Sequence, residues 1–158
     1  MVSAKPVVVV TGIAGNLGSR LLPLLSDYTV IGVDLSPPQS DLPLQFERLD
    51  LGEESCTRAF FELLRDTRPV SVVHLAFVID PVRTGVLDVE RMWQINVAGT
   101  ARLMEAITET NRNSETPIRQ FIFQQRFGLR ISSGRAGLGK FSPGRAHSAL
   151  RHSQKTIG

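Results

Sequence analysis

The sequence predicts an α/β fold, a doubly wound parallel sheet with helices on both faces, and three observations predict it. Short β-branched runs alternate with stretches of helical period. The segments joining those runs are too long for hairpins, so they read as right-handed βαβ crossovers. The runs themselves are apolar without alternation, which a strand requires when helices cover both of its sides. The chain of 158 residues, 42% of them hydrophobic, suits a single globular core.

The elements follow in order. Val7–Val10 is a first buried strand, ended by Thr11-Gly12. Asn16–Leu25 places Leu17, Leu21, Leu22, Leu24 and Leu25 at helical spacing, with Pro23 interrupting its regularity. Tyr28–Val33 is a second strand running into Asp34, and Ser36–Pro43, with three prolines, is a loop. Gln45–Leu49 fits a short third strand closing on Asp50. Glu53–Arg65 is a helix with Ala59, Phe60, Leu63 and Leu64 on one face, and Val70–Leu75 is the next buried strand. Val86–Thr110 reads as one long helix whose Leu87, Met92, Ile95, Leu103 and Met104 are core positions, and Ile118–Phe123 is a fifth strand.

The pattern stops at Gln124. Residues 1–123 hold 11 Lys+Arg and all 15 Asp+Glu, a net of −4, whereas residues 124–158 hold 7 Lys+Arg and no acid. The basic isoelectric point therefore belongs to the tail alone. The expected organisation is an incomplete sheet domain over 1–123 and an irregular basic C-terminal tail over 124–158, too poor in apolar residues to offset its ordering entropy. No apolar run approaches the roughly 20 residues of a membrane-spanning helix. The N-terminus makes a poor signal peptide, and the single cysteine, Cys56, forms no internal disulfide. It is expected to be inert packing, and the cytoplasm is the expected location.

Gly12, Gly15 and Gly18 directly follow a buried strand and open a helix. In that context the first glycine permits the tight turn, the second the approach of a pyrophosphate, and the third close packing of helix and strand. The helix N-terminus supplies amides and a positive dipole end to the phosphates. Asp34 ends the second strand 22 residues after Gly12, where a carboxylate accepts from the adenosine ribose hydroxyls and repels a 2′-phosphate. The reading is a Rossmann dinucleotide site that takes NAD in preference to NADP. Arg20 fits either an exposed residue or a phosphate contact.

These residues resemble the extended short-chain dehydrogenase/reductase group, the NAD-dependent epimerases and dehydratases that often act on nucleotide sugars. Thr11-Gly12-Ile13-Ala14-Gly15-Asn16-Leu17-Gly18 is similar to that family's glycine motif, and Asp34 to its ribose-binding acid. Asp50-Leu51 resembles the pair that contacts the adenine ring, and His74-Leu75-Ala76 the stretch whose backbone lines the cofactor cleft. Asn96-Val97-Ala98-Gly99-Thr100 resembles its "NVxGT" segment. The resemblance covers residues 6–123. It implies cofactor contacts at Gly12, Gly15, Asn16, Leu17, Gly18, Asp34, Asp50, Leu51, Leu75, Ala76 and Asn96. Blander roles fit some of these: Asp50 as a helix cap, Asn96 in packing or a backbone hydrogen bond. His74 reads as a structural strand-end residue, not a catalyst.

The resemblance also implies a Tyr-x-x-x-Lys pair, the tyrosine exchanging a proton with substrate while the nicotinamide carries hydride. Here the only tyrosine is Tyr28, and the residues four before Lys140 and Lys155 are Ala136 and Arg151. Ser132 and Ser133 sit too far beyond the fifth strand to replace the family's serines. No catalytic or metal-ligating residue is therefore expected. Three readings stay open: a truncated, alternatively spliced or frame-shifted product, a non-catalytic NAD-sensing module, or a nucleic-acid binder using the cations and Phe127 and Phe141 of the tail. A further expectation is self-association through the fifth strand as a sheet edge.

Overall fold

The computed structural model describes residues 4–112 and 114–124. The tail expectations, including Ser132, Ser133, Lys140 and Lys155, fall outside the described residues. The chain runs through β1 (Val7–Thr11), α1 (Asn16–Leu21) and a 3₁₀ turn at Leu22–Leu25, then β2 (Thr29–Asp34), β3 (Gln45–Arg48) and α2 (Cys56–Thr67). β4 (Ser71–His74), α3 (Pro81–Thr84), α4 (Val89–Trp93), a π-helical turn at Gln94–Ala98, α5 (Gly99–Arg112) and β5 (Gln120–Phe123) follow.

All strand pairings are parallel and the sheet order is β3-β2-β1-β4-β5. Successive side chains of each strand feed opposite faces, which divides the core in two. Val9, Ile31, Val33 and Val72 pack with Phe60 and Leu64 of α2 and Leu103 and Ala106 of α5. Val8, Val10, Val30 and Val73 pack on the other side with Ile13 and Leu22, joined by Leu21 and Leu25. The uninterrupted apolar runs of the sequence thus have the physical cause expected of them, a sheet covered on both faces.

Local differences from the sequence reading have identifiable causes. Pro23 occupies the first turn of a tighter 3₁₀ segment, so the first helix ends early as α and continues as 3₁₀. The second helix starts at Cys56, not Glu53, because turns occupy 51–55. The expected long helix over Val86–Thr110 starts three residues later, at Val89, and runs through the π turn to Arg112. Gly85 takes a left-handed φ of +73°, and Asp88 then caps α4 by accepting from the Glu90 amide at 3.0 Å. Leu103 is core as expected, but Leu87, in the loop before α4, and Met104 are exposed.

The order reverses direction between β1 and β4: β2 and β3 lie on one side of β1, β4 and β5 on the other. In an open α/β sheet the carboxyl ends at such a reversal leave a crevice between diverging loops. Register makes the ends flush, with Thr11 beside both Val33 and His74.

Candidate functional site

At that crevice lies a cleft of about 320 Å³, walled by the turn after β1, the ends of β2 and β3 and the loop after β4. Gly12, Gly15, Asp34, Asp50, Leu51, Leu75 and Ala76 all line it. Asn16 and Leu17 line an adjoining hollow that shares Gly12, Ala14 and Gly15 with the cleft. Gly18 and Asn96 line neither, and each acts from behind. Arg20 is exposed and lines neither.

The turn is built by close backbone approach. Gly12 has φ +73°, and a Cβ there would stand 2.6 Å from the Ala76 nitrogen and 2.7 Å from the Leu75 carbonyl carbon. A Cβ on Gly18 would stand 2.3 Å from the Gly12 oxygen, so the third glycine lets α1 close on the turn itself. The Gly12 amide donates to Val33 O at 2.8 Å, and the Gly15 amide donates to Gly12 O at 3.0 Å. The first amides of α1 have no partner within their own helix.

Asp34 stands across from this turn. Its Oδ2 accepts from the Ala14 amide at 2.9 Å and its Oδ1 from the Leu35 amide at 2.7 Å. The sequence reading placed the carboxylate correctly at the strand end but gave no sign that Ala14 would tie it to the glycine turn. Val33, Leu35, Leu49, Leu51, Val86 and Ile95 give the cleft an apolar lining, and Asp50 lines it as well. Asp50 does not cap α2, whose N-cap is Ser55. Its Oδ1 accepts from the Gly52 amide at 2.9 Å and closes a local turn.

Asn96 is fixed on the loop after β4. Its Oδ1 accepts from the Val78 amide at 2.8 Å and its Nδ2 donates to Val78 O at 3.0 Å. Both ends of the amide hold backbone that lines the cleft.

Beneath the cleft floor, His74 is fully buried between two threonines, Thr11 Oγ1 at 2.7 Å from Nδ1 and Thr100 Oγ1 at 2.9 Å from Nε2. The Thr100 hydroxyl donates to Asn96 O at 2.7 Å, so it accepts from Nε2–H. That leaves Nδ1 to accept from Thr11, whose oxygen in turn accepts from the Ala76 amide at 3.4 Å. The chain of donors closes on a neutral imidazole. Burial pushes the His74 pKa down to about 4, in keeping with that protonation state. His74 is thus a core residue linking three motif segments that the sequence presents separately. Cys56 is also buried; its thiol donates to Leu51 O at 3.7 Å, and burial raises its pKa. Among the described residues no group of three or more His, Cys, Asp or Glu is arranged to hold a metal ion, and no helix is long and apolar enough to cross a membrane.

Residues 8–124 match the NAD dependent epimerase/dehydratase family. The chain belongs to that family. An uncharacterised epimerase/dehydratase of Staphylococcus aureus (strain USA300) is 27% identical over 117 residues, which are 70% of this chain and 35% of that protein. Among solved structures, MoeE5 in complex with UDP-glucuronic acid and NAD is 30% identical with a TM-score of 0.53, over 66% of this chain and 33% of that one. UDP-glucose 4-epimerase from Thermotoga maritima, solved with UDP-glucose, is 27% identical with a TM-score of 0.59, over 74% of this chain and 37% of its own. The chain therefore spans about a third of the length of the family members it matches.

The fold and cleft fit the dinucleotide of an NAD-dependent family. The glycine turn is a cradle that a Cβ would fill, a carboxylate stands beyond it, and an apolar slot lies beyond the carboxylate. Sequence reasoning missed Ala14, Thr84, Val86 and Ile95 as lining residues. It also missed Arg91, whose partners lie 41 and 38 residues away and leave no local pattern.

Proposed function

We propose that this chain binds NAD through its adenosine and pyrophosphate portions, and that it does so without completing the family's catalytic site. The observation that carries the reading is Asp34, tied by Ala14 to the glycine turn at the mouth of an apolar slot. Gly12 and Gly15 let backbone approach the pyrophosphate, the opening amides of α1 at Asn16 and Leu17 donate to it, and Gly18 lets α1 close on the turn from behind. The remaining acceptor capacity of Asp34 serves the ribose hydroxyls and disfavours a 2′-phosphate, so NAD is preferred over NADP. Leu51, Leu49 and Ile95 enclose the base with Asp50 at its edge, and Leu75 and Ala76 give backbone to the far wall. Asn96 acts through Val78 by holding that wall in place.

When bound, the cofactor supplies hydride transfer at its nicotinamide. No Tyr-x-x-x-Lys is present to move the accompanying proton, since Tyr28 is the only tyrosine and opens no such motif. The substrate class consistent with the reading is a nucleotide sugar, on the strength of relatives solved with UDP-glucuronic acid and UDP-glucose. The chain by itself is read as a cofactor-binding, non-turning-over protein of the cytoplasm.

Titration calorimetry on the full chain tests this. Saturable NAD binding is expected, with NADP at least about tenfold weaker, a gap of roughly 1.4 kcal/mol. Asp34→Ala is expected to narrow that gap. NADP binding as tightly as NAD, or an Asp34→Ala variant with unchanged preference, would overturn the assignment of Asp34.

A further inference from the structure

Asp50 lines the apolar end of the cleft, and the structure holds its carboxylate from two directions. The Gly52 amide donates to Oδ1, while Arg91, reaching over from α4, donates from Nη2 to Oδ2 and from Nη1 to Glu53 Oε1 at 3.3 Å. Asp50 and Arg91 are each less than a third exposed, whereas Glu53 is mostly in solvent. The guanidinium lies directly on Gly52, where a Cβ would stand 2.3 Å from Nη1. Beside it, Arg102 Nη1 donates to Leu51 O at 3.2 Å, so the peptide after Asp50 is gripped as well. A charged pair of this kind, partly withdrawn from water and sharing two hydrogen-bonded partners, has a fixed geometry that an isolated surface pair lacks.

The chemical consequence lies in what an ionised, immobilised carboxylate accepts. It has lone pairs and no proton, so it welcomes a donor and repels a carbonyl oxygen. A largely apolar cleft with one such group among its lining residues suits a purine that presents an exocyclic amine to it. Without Arg91 the carboxylate keeps only the Gly52 amide as a partner and is free to turn away from the cleft.

We propose that Arg91 is a positioning residue for base recognition: by fixing Asp50, it makes the cleft select a 6-aminopurine over a 6-oxopurine. The inference rests on the NAD reading above and deepens it at the adenine end. Arg91 itself does not line the cleft and acts wholly through Asp50.

The experiment compares NAD with nicotinamide hypoxanthine dinucleotide, which has a 6-carbonyl and an N1–H where adenine has the 6-amine donor and a bare N1. Both are titrated into the full chain, into Arg91→Met and into Gly52→Ala. The second variant keeps the arginine but displaces its guanidinium, at little backbone cost because Gly52 does not need a positive φ. In the unaltered chain NAD is expected to bind about tenfold tighter or more, as a hydrogen bond to a charged group predicts. In both variants the ratio is expected to fall to about threefold or less. Melting curves show that each variant is folded, and if Arg91→Met does not fold, Gly52→Ala decides alone. An undiminished ratio in a folded variant would show Arg91 to be a structural ion pair only. Equal binding of both dinucleotides to the unaltered chain overturns this inference and leaves the cofactor reading standing. Binding of neither overturns both.

Discussion

At Gly12 two requirements coincide, a left-handed φ and an absence of room, and the backbone that fills the room belongs to Leu75 and Ala76 of the opposite cleft wall. An alanine there pays roughly 1–2 kcal/mol for conformation, and relief of the overlap adds about as much again. Gly12→Ala is therefore expected to lower unfolding stability by about 2–4 kcal/mol and to abolish NAD binding, read by urea titration and calorimetry. A variant of near-native stability that binds NAD would show that the two walls can part. His74 answers to pH. Its folded pKa of about 4 lies below the ordinary 6.5, so between those values the unfolded chain binds more protons than the folded one. Stability is then complete above pH 6.5 and falls as pH drops toward 4, by about 3 kcal/mol in all. His74→Gln lowers stability at neutral pH but is expected to flatten this slope, which denaturant titrations at pH 7, 5.5 and 4.5 would reveal. Equal slopes in the two proteins would place the titrating group elsewhere.

The stretch from α4 through the π turn into α5 braces two walls of the cleft. Arg91 and Arg102 hold the loop after β3, Asn96 holds the loop after β4, and Ile95 lies in the cleft between them. A π turn inserts an extra residue into a helix, so it changes the direction in which the preceding side chains point. Asn96→Ala leaves the N–H and C=O of Val78 without these partners, at about 1–3 kcal/mol. Faster hydrogen exchange over residues 75–79, with helix content unchanged, is the expected result; unchanged exchange would mean that the loop is held by other contacts. Of this bracing the sequence reading anticipated only a backbone hydrogen bond at Asn96. Val9, Ile31 and Val72 announce their strands because burial on both faces leaves a continuous apolar run, a signal confined to a few neighbouring residues. The glycine turn and Asp34 were legible for a similar reason, since strand, turn and helix are contiguous. Arg91 and Asp50, or Thr11, His74 and Thr100, meet only after the sheet brings them together. The true start of the long helix at Val89 escaped because Val86 and Leu87 extend the apolar spacing back into the loop, where Leu87 is exposed.

At the scale of the whole molecule, the strand order puts the crevice between β1 and β4, and the described chain supplies one side of it in detail. The glycine turn, the Asp34 carboxylate and the apolar part of the cleft, proposed above as phosphate, ribose and base sites, are each built from several elements. Under that proposal the nicotinamide would meet the hollow lined by Leu75, Phe77, Ile79, Asp80 and Gln124, and the sequence holds no Tyr-x-x-x-Lys. Affinity should then reside in the ADP-ribose portion shared by all forms of the cofactor. NAD, NADH and ADP-ribose are expected to bind the full chain within about threefold of one another, less than roughly 0.7 kcal/mol apart. Nicotinamide mononucleotide is expected to give no saturable signal, and a UDP-sugar no change in NAD affinity. Calorimetric titrations of the five ligands under one buffer condition check this. NAD binding more than tenfold tighter than ADP-ribose, or saturable binding of the mononucleotide, would mean that residues of this chain also grip the nicotinamide, and the site would have to be redrawn across the β4 loop.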